Sequence, residues 1–232
     1  VNSELTDLYL QFNKNLLSAT NQFAVVVYDE QDLAGLPKSS VAMAAQEAKA
    51  RNLDGLWVFT LHAPSRLPVL QYADNRGLRK AVYEGYTSLA SYGDNSNLPV
   101  ISEIVRLRNE KARLMGFDNF ARMMTSRVMA KTPEAASELL MQVFEPAVAR
   151  SAEEVADMQK YVDAHGGGFK IAPYDYYYYA DKVKKEKFDL DEASLRPYFE
   201  LEAVKKGLFD TTEKLFGVKM VPMPDAPKHH ED

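Results

Sequence analysis

The sequence predicts a mainly α chain, a multi-helix array with two or three short β-strands. Three observations carry this expectation. Apolar residues recur at three- and four-residue spacing through most of the 232 positions, the period that gathers them on one helix face. Capping residues, helix-start prolines and glycine stops fall at the ends of those stretches. Only three runs, near 23–28, 56–61 and 218–221, are short and apolar or β-branched in the manner of strands.

Taken in order, residues 3–20 form a helix, with Ser3 as cap and Leu5, Leu8, Phe12 and Leu16 at helical spacing. "FAVVVYDE" (23–30) is a strand closed by charges. "SSVAMAAQEAKARN" (39–52) is alanine-rich and serine-capped, hence a helix. Leu53-Asp54-Gly55 turns the chain into a second strand, "LWVFTL" (56–61). A helix between two strands leaves open whether they pair in parallel or sit apart. "HAPSRLP" reads as a loop, and residues 74–91 as a helix with Leu78, Val82, Tyr86 and Leu89 on one face.

After the breaker "YGDNSNLP", Asn97 is the expected cap of the next helix and Pro99 fits its first turn. Ile101, Ile104, Val105, Arg108, Ala112 and Met115 run along it, and Gly116 ends it. Thr132 and Pro133 open a long helix that reaches about His165 and stops at Gly166-Gly167-Gly168. Pro146 inside it predicts a kink or a break near Glu145. A tyrosine-rich helix spans about 174–187, a short one interrupted by Pro197 spans 191–201, and the last runs to about Phe216 with Gly217 after it. "VKMV" (218–221) is the third strand, before a proline-rich polar tail. No period of 33–47 residues marks a solenoid. No stretch reads as a flexible linker, so 1–232 is taken as one helical segment with its internal boundary open.

The net charge of −5 gives no overall attraction to nucleic acid or anionic membrane. No apolar run approaches the roughly 20 residues needed to span a bilayer. Absence of cysteine excludes disulfides, thiolate metal sites and cysteine nucleophiles. Val1 in place of Met, with no signal-like stretch after it, reads as a processed or truncated piece of a longer chain. The compartment is therefore open, with cytoplasm favoured over periplasm.

Motif by motif, the chemistry is incomplete. "HGGGF" (165–169) looks like an esterase oxyanion loop, but the Gly-x-Ser-x-Gly elbow that would accompany it is missing, and a glycine stop after a long helix explains it better. His62 and His165 are isolated, and "HHED" (229–232) starts like His-Glu-x-x-His without its second histidine, so no metal ligand is assigned. "KVKKEKF" (182–188) sets lysines beside tyrosines, a nucleic-acid pattern. A solvated helix end that complements the dipole is the better account in an acidic chain. No phosphate-binding glycine loop is present. No catalytic residue is assigned.

The four tyrosines, Tyr176 to Tyr179, turn about 100° per residue and so surround their helix. Tyr176 and Tyr179 share a face with Ala180 and Val183, and are expected inside. Tyr177 and Tyr178 share a face with Asp181 and Lys184 or Lys185, and are expected at a cleft, where an apolar ring with a polar tip fits.

The stretch 175–201 resembles a pattern of the thimet oligopeptidase family of zinc metallopeptidases: Asp-x-x-Tyr-Tyr, Glu-Lys and a basic residue, then Leu-Arg-Pro-Tyr-Phe. The matching residues are Asp175, Tyr178, Tyr179, Lys182, Lys184 and Leu195 to Phe199, with Asp181 where the family has glutamate. Residues 11–37, the "NRGLR" stretch within 68–91, and 103–140 resemble further family segments in the same register. Within the family the resemblance points to the bacterial peptidyl-dipeptidases. It implies a larger, two-lobed helical enzyme beside a deep channel, oligopeptide substrates, and release of C-terminal dipeptides. It also implies zinc held by His-Glu-x-x-His and a later glutamate, all downstream of this chain. The chain is thus expected to precede the catalytic half, its missing partner in the same polypeptide. It is expected to bind no zinc, and to contribute at most Tyr177 and Tyr178 to the substrate channel. The alternative is a free-standing helical interaction domain.

Overall fold

A computed structural model describes residues 1–189 and 195–227. The chain divides into two compact units, 1–183 and 184–232. Among the described residues it is mainly helical, as the periodicity predicts, with one small sheet.

In the first unit, α1 (Asn2–Gln22) packs along α5 (Leu98–Leu114). Leu5, Val100, Ile104 and Leu107 form their shared core, with Leu8 and Phe12 against it. Ser3 does not cap α1 but lies inside it; the N-cap is Val1. Of the residues expected along α5, Ile104 and Ala112 are buried, whereas Ile101, Val105 and Met115 are exposed, because α1 covers the Val100–Ile104–Leu107 stripe. Asn97 stands at the N-cap position but makes no cap bond. It is buried, donates to the Phe12 carbonyl and accepts from Asn15, which ties α5 to α1.

The second core gathers strands β1 (Val25–Val27) and β2 (Trp57–Phe59), α2 (Lys38–Ala50), α3 (Ala63–Tyr72) and α4 (Arg76–Thr87). The strands pair antiparallel, Val26 opposite Val58. Ser39 and Ser40 are helical rather than capping, since α2 starts after Pro37. "HAPSRLP" is not a loop but the first two turns of α3. Pro64 fits a first turn, where its missing N–H is no loss. Burial of Val69 and Leu70 holds the helix despite Pro68. Along α4, Leu78 and Val82 are buried as expected, whereas Tyr86 is exposed with the Arg66 guanidinium 3.5 Å above its ring.

A short helix, α6 (Phe120–Thr125), leads to α7 (Pro133–Ala164). The Thr132 hydroxyl accepts from the Ala135 N–H, the expected cap. α7 runs through Pro146 without a break. Every residue around that proline is exposed, so water can serve the carbonyl that lacks a donor. A single 3₁₀ turn, Pro173–Asp175, opens α8 (Tyr176–Phe188).

In the second unit, Arg196–Phe199 is a 3₁₀ turn and α9 (Leu201–Phe216) ends at Gly217, whose φ of 67° makes it the left-handed stop that was expected. Residues 218–221 form no strand; each is exposed, and none pairs with β1 or β2. The "HHED" tail and residues 190–194, which include the start of the expected 191–201 helix, lie outside the described residues.

Candidate functional site: a buried arginine–aspartate cluster beneath the tyrosines

The N-terminus of α4 sets out the site. The Asn75 side chain caps the helix by accepting from the Leu78 N–H at 2.9 Å, and it donates to Asp32 at 2.6 Å. Arg76 and Arg79, three residues apart, then project on one face. Opposite them, the 3₁₀ turn at 173–175 places Asp175 so that its own carboxylate accepts from the Ala172 N–H at 3.0 Å.

These residues, nearly a hundred positions apart in sequence, meet in the interior. Asp175 is fully buried. It accepts from Arg76 Nε at 3.1 Å, from Arg76 Nη2 at 2.8 Å and from Arg79 Nη2 at 2.8 Å. Arg79 is only 1% exposed, and its Nη1 donates to the carbonyls of Ala73 and Asp74. Its Nε has no hydrogen-bond partner among the described residues. The guanidinium instead lies 4.2 Å over the Tyr178 ring, an arrangement that attracts the charge. Arg76 is partly exposed and stacks 4.1 Å from Phe169.

Burial by itself would push the Asp175 carboxyl up. The hydrogen bonds from Arg76 and Arg79, with the Ala172 N–H, outweigh it and hold the carboxyl below its ordinary range. The same bond raises the Arg76 guanidinium.

The glycine run has a structural task beside this cluster. Gly166 and Gly168 have positive φ, and a Cβ on Gly167 would meet the Val162 side chain. The turn delivers Phe169 to Arg76 and the following backbone to Gln159, which donates to the Phe169 carbonyl and accepts from the Ile171 N–H. His165 stacks 4.0 Å from Tyr161, and His62 pairs with the Thr60 hydroxyl at 3.2 Å. Among the described residues no group of three or more histidines, aspartates or glutamates could hold a metal ion. His62 and His165 therefore do not make up a zinc centre.

The tyrosines divide by direction. Tyr179 packs against Tyr161 and Phe169, 6.2 Å from each ring. Tyr178 turns to α4 and donates its hydroxyl to Asp74 at 2.7 Å. Burial and that bond raise its hydroxyl above the ordinary tyrosine value. Tyr176 is half-buried and reaches Glu154 at 3.4 Å. Tyr177 is 52% exposed, set edge-on to Tyr176. Of the two expected channel residues, Tyr177 is thus open and Tyr178 is engaged within the fold. Asp181, paired with Tyr178 in the sequence reading, accepts from Gln71 at 2.9 Å.

Residue chemistry alone did not single out Arg76 or Arg79. The available signal was the resemblance itself, since "NRGLR" and "DYYYY" are the stretches that converge. The arrangement clamps α4, the 169–175 segment and α8 together.

No helix of the described residues is long and apolar enough to cross a membrane. The profile of peptidase family M3 matches residues 69–232. The dipeptidyl carboxypeptidase of Escherichia coli (strain K12) is 37% identical over the whole of this chain, which covers 34% of that protein. Oligopeptidase A of the same strain is 34% identical across 99% of the chain, again 34% of its own length. The organellar oligopeptidase A, chloroplastic/mitochondrial, of Arabidopsis thaliana is 35% identical across 96% of the chain and 29% of its own length. The chain thus spans about a third of these curated relatives. With relatives this similar along its length and the family profile matching more than half of it, the chain belongs to peptidase family M3.

Proposed function

We propose that this chain is a non-catalytic part of a zinc metallopeptidase that releases dipeptides from the C-termini of oligopeptides. The observation that supports this most is the 37% identity over the whole chain to a dipeptidyl carboxypeptidase. The zinc ligands are assigned to parts of the polypeptide beyond these residues. The Arg76–Asp175–Arg79 cluster holds α8 in place as channel wall. Tyr177 offers its exposed ring to a passing peptide, and Tyr178 supports it from behind through Asp74.

Three measurements test the proposal. The isolated chain should leave a blocked dipeptide-releasing substrate intact; robust hydrolysis would overturn its non-catalytic role. The full-length protein should shorten a decapeptide by two residues at a time from the C-terminus, read by mass spectrometry, and internal cuts or single-residue losses would refute dipeptide release. Replacing Tyr177 by alanine in the full-length protein should raise KM more than it lowers kcat, as lost ground-state contact requires.

A second reading, a free-standing helical interaction domain, draws on the exposed apolar side chains of α7. It requires that the reading frame after Asp232 lack a His-Glu-x-x-His helix.

A further inference from the structure

The C-terminal third of α7 is anchored, with Met158 and Val162 buried. The preceding residues, 137–156, are exposed at every position. Among them Leu139, Leu140, Met141, Val143, Phe144 and Val148 are each 45–68% exposed. At about 100° per residue, these six cover an arc of roughly 200°, while Glu138, Gln142 and Glu145 fill the remaining strip. An ordinary surface helix has an apolar stripe of about 100°. A patch of this size is rarely left open to water in a folded protein.

The breadth of the arc decides among occupants. A two-fold pairing of copies sets one patch against itself and covers one side of a helix. An arc twice as wide as one stripe needs neighbours on two sides. The relatives are about three times the length of this chain, so most of such a polypeptide lies outside it.

We infer that residues 138–148 of α7 are a docking surface for a segment of the same polypeptide outside these 232 residues, one that packs apolar side chains on both flanks of the helix. The Glu138–Gln142–Glu145 strip stays wet. This rests on the reading of the chain as part of a larger protein, and not on the reaction that protein performs.

Hydroxyl-radical footprinting of the full-length protein tests it, with the urea-unfolded protein as reference. Leu140, Met141 and Phe144 should oxidise at roughly a tenth of their unfolded rate, as expected of side chains removed from solvent. That protection should not depend on protein concentration. Rates equal to those of the unfolded protein would overturn the inference. Protection that appears only as concentration rises would assign the surface to a second copy and overturn it too. Because the readout needs no substrate, a protected helix in a protein that fails to release dipeptides would count against the proposed reaction alone.

Discussion

Removing the Asp175 carboxylate should be among the most damaging single changes available to this chain. In Asp175→Ala, Arg79 stays almost fully buried and charged, with its Nη1 still on two carbonyls but its Nη2 without the 2.8 Å bond it now makes. Arg76 loses its bonds as well, yet it is 37% exposed and can recover water. Each charge-assisted bond contributes about 1.5–3 kcal/mol, and the Arg79 loss is the uncompensated one. Breaking one side of a buried ion pair costs about 3–5 kcal/mol, and that is the expected loss here. Urea titration followed by far-UV circular dichroism reads it, as a lower midpoint at unchanged slope. Arg106→Gln serves as control. It breaks ion pairs to Glu103 and Glu110 that sit in solvent, and should leave the midpoint in place. Asp175→Leu combined with Arg79→Met should recover much of the loss, since no charge is then stranded. If Asp175→Ala shifts the midpoint no more than Arg106→Gln does, the cluster is not what holds α8 to α4.

Other outcomes follow from the same geometry. The Asp175 carboxyl titrates lower in the folded chain than in the unfolded one, where it lies near pH 3.9. Its contribution is therefore complete above about pH 5 and is lost as pH falls through the depressed folded value. Urea midpoints of the native chain and Asp175→Asn should accordingly converge between pH 6 and the acid limit of folding. Tyr178→Phe removes a hydroxyl bonded to a carboxylate but keeps the ring over Arg79, and should lower stability by about 1–2 kcal/mol in the same titration. Gly85→Ala would drive a methyl into the Phe23 ring that packs against it. Its cost, about 1–3 kcal/mol, should appear as a lower melting temperature.

How far the sequence could be read depends on the range of the interaction that decides each feature. Thr132, Pro133 and Gly217 mark helix ends through bonds within four residues, and the structure has them in those roles. The choice of the Val100–Ile104–Leu107 stripe over its neighbour depended on α1, almost a hundred residues away. "HAPSRLP" carries two prolines and a weak local preference for helix, and burial of Val69 and Leu70 overrode it. The third strand failed for the converse reason, since a strand-like run that pairs with no neighbour gains no ladder bonds from being extended.

By itself, then, the sequence determined that the chain is mainly helical and roughly where its helices begin and end. Its ordered motifs also determined its family. Tertiary structure alone decided that β1 and β2 run antiparallel, that Arg76 and Arg79 close on Asp175, and that the tyrosine run splits, with Tyr178 and Tyr179 turned inward and Tyr177 outward. The reason is physical. Caps and periodicity act over one or two turns of chain, whereas a charge can be buried at Asp175 only after folding has brought its two partners from nearly a hundred residues away.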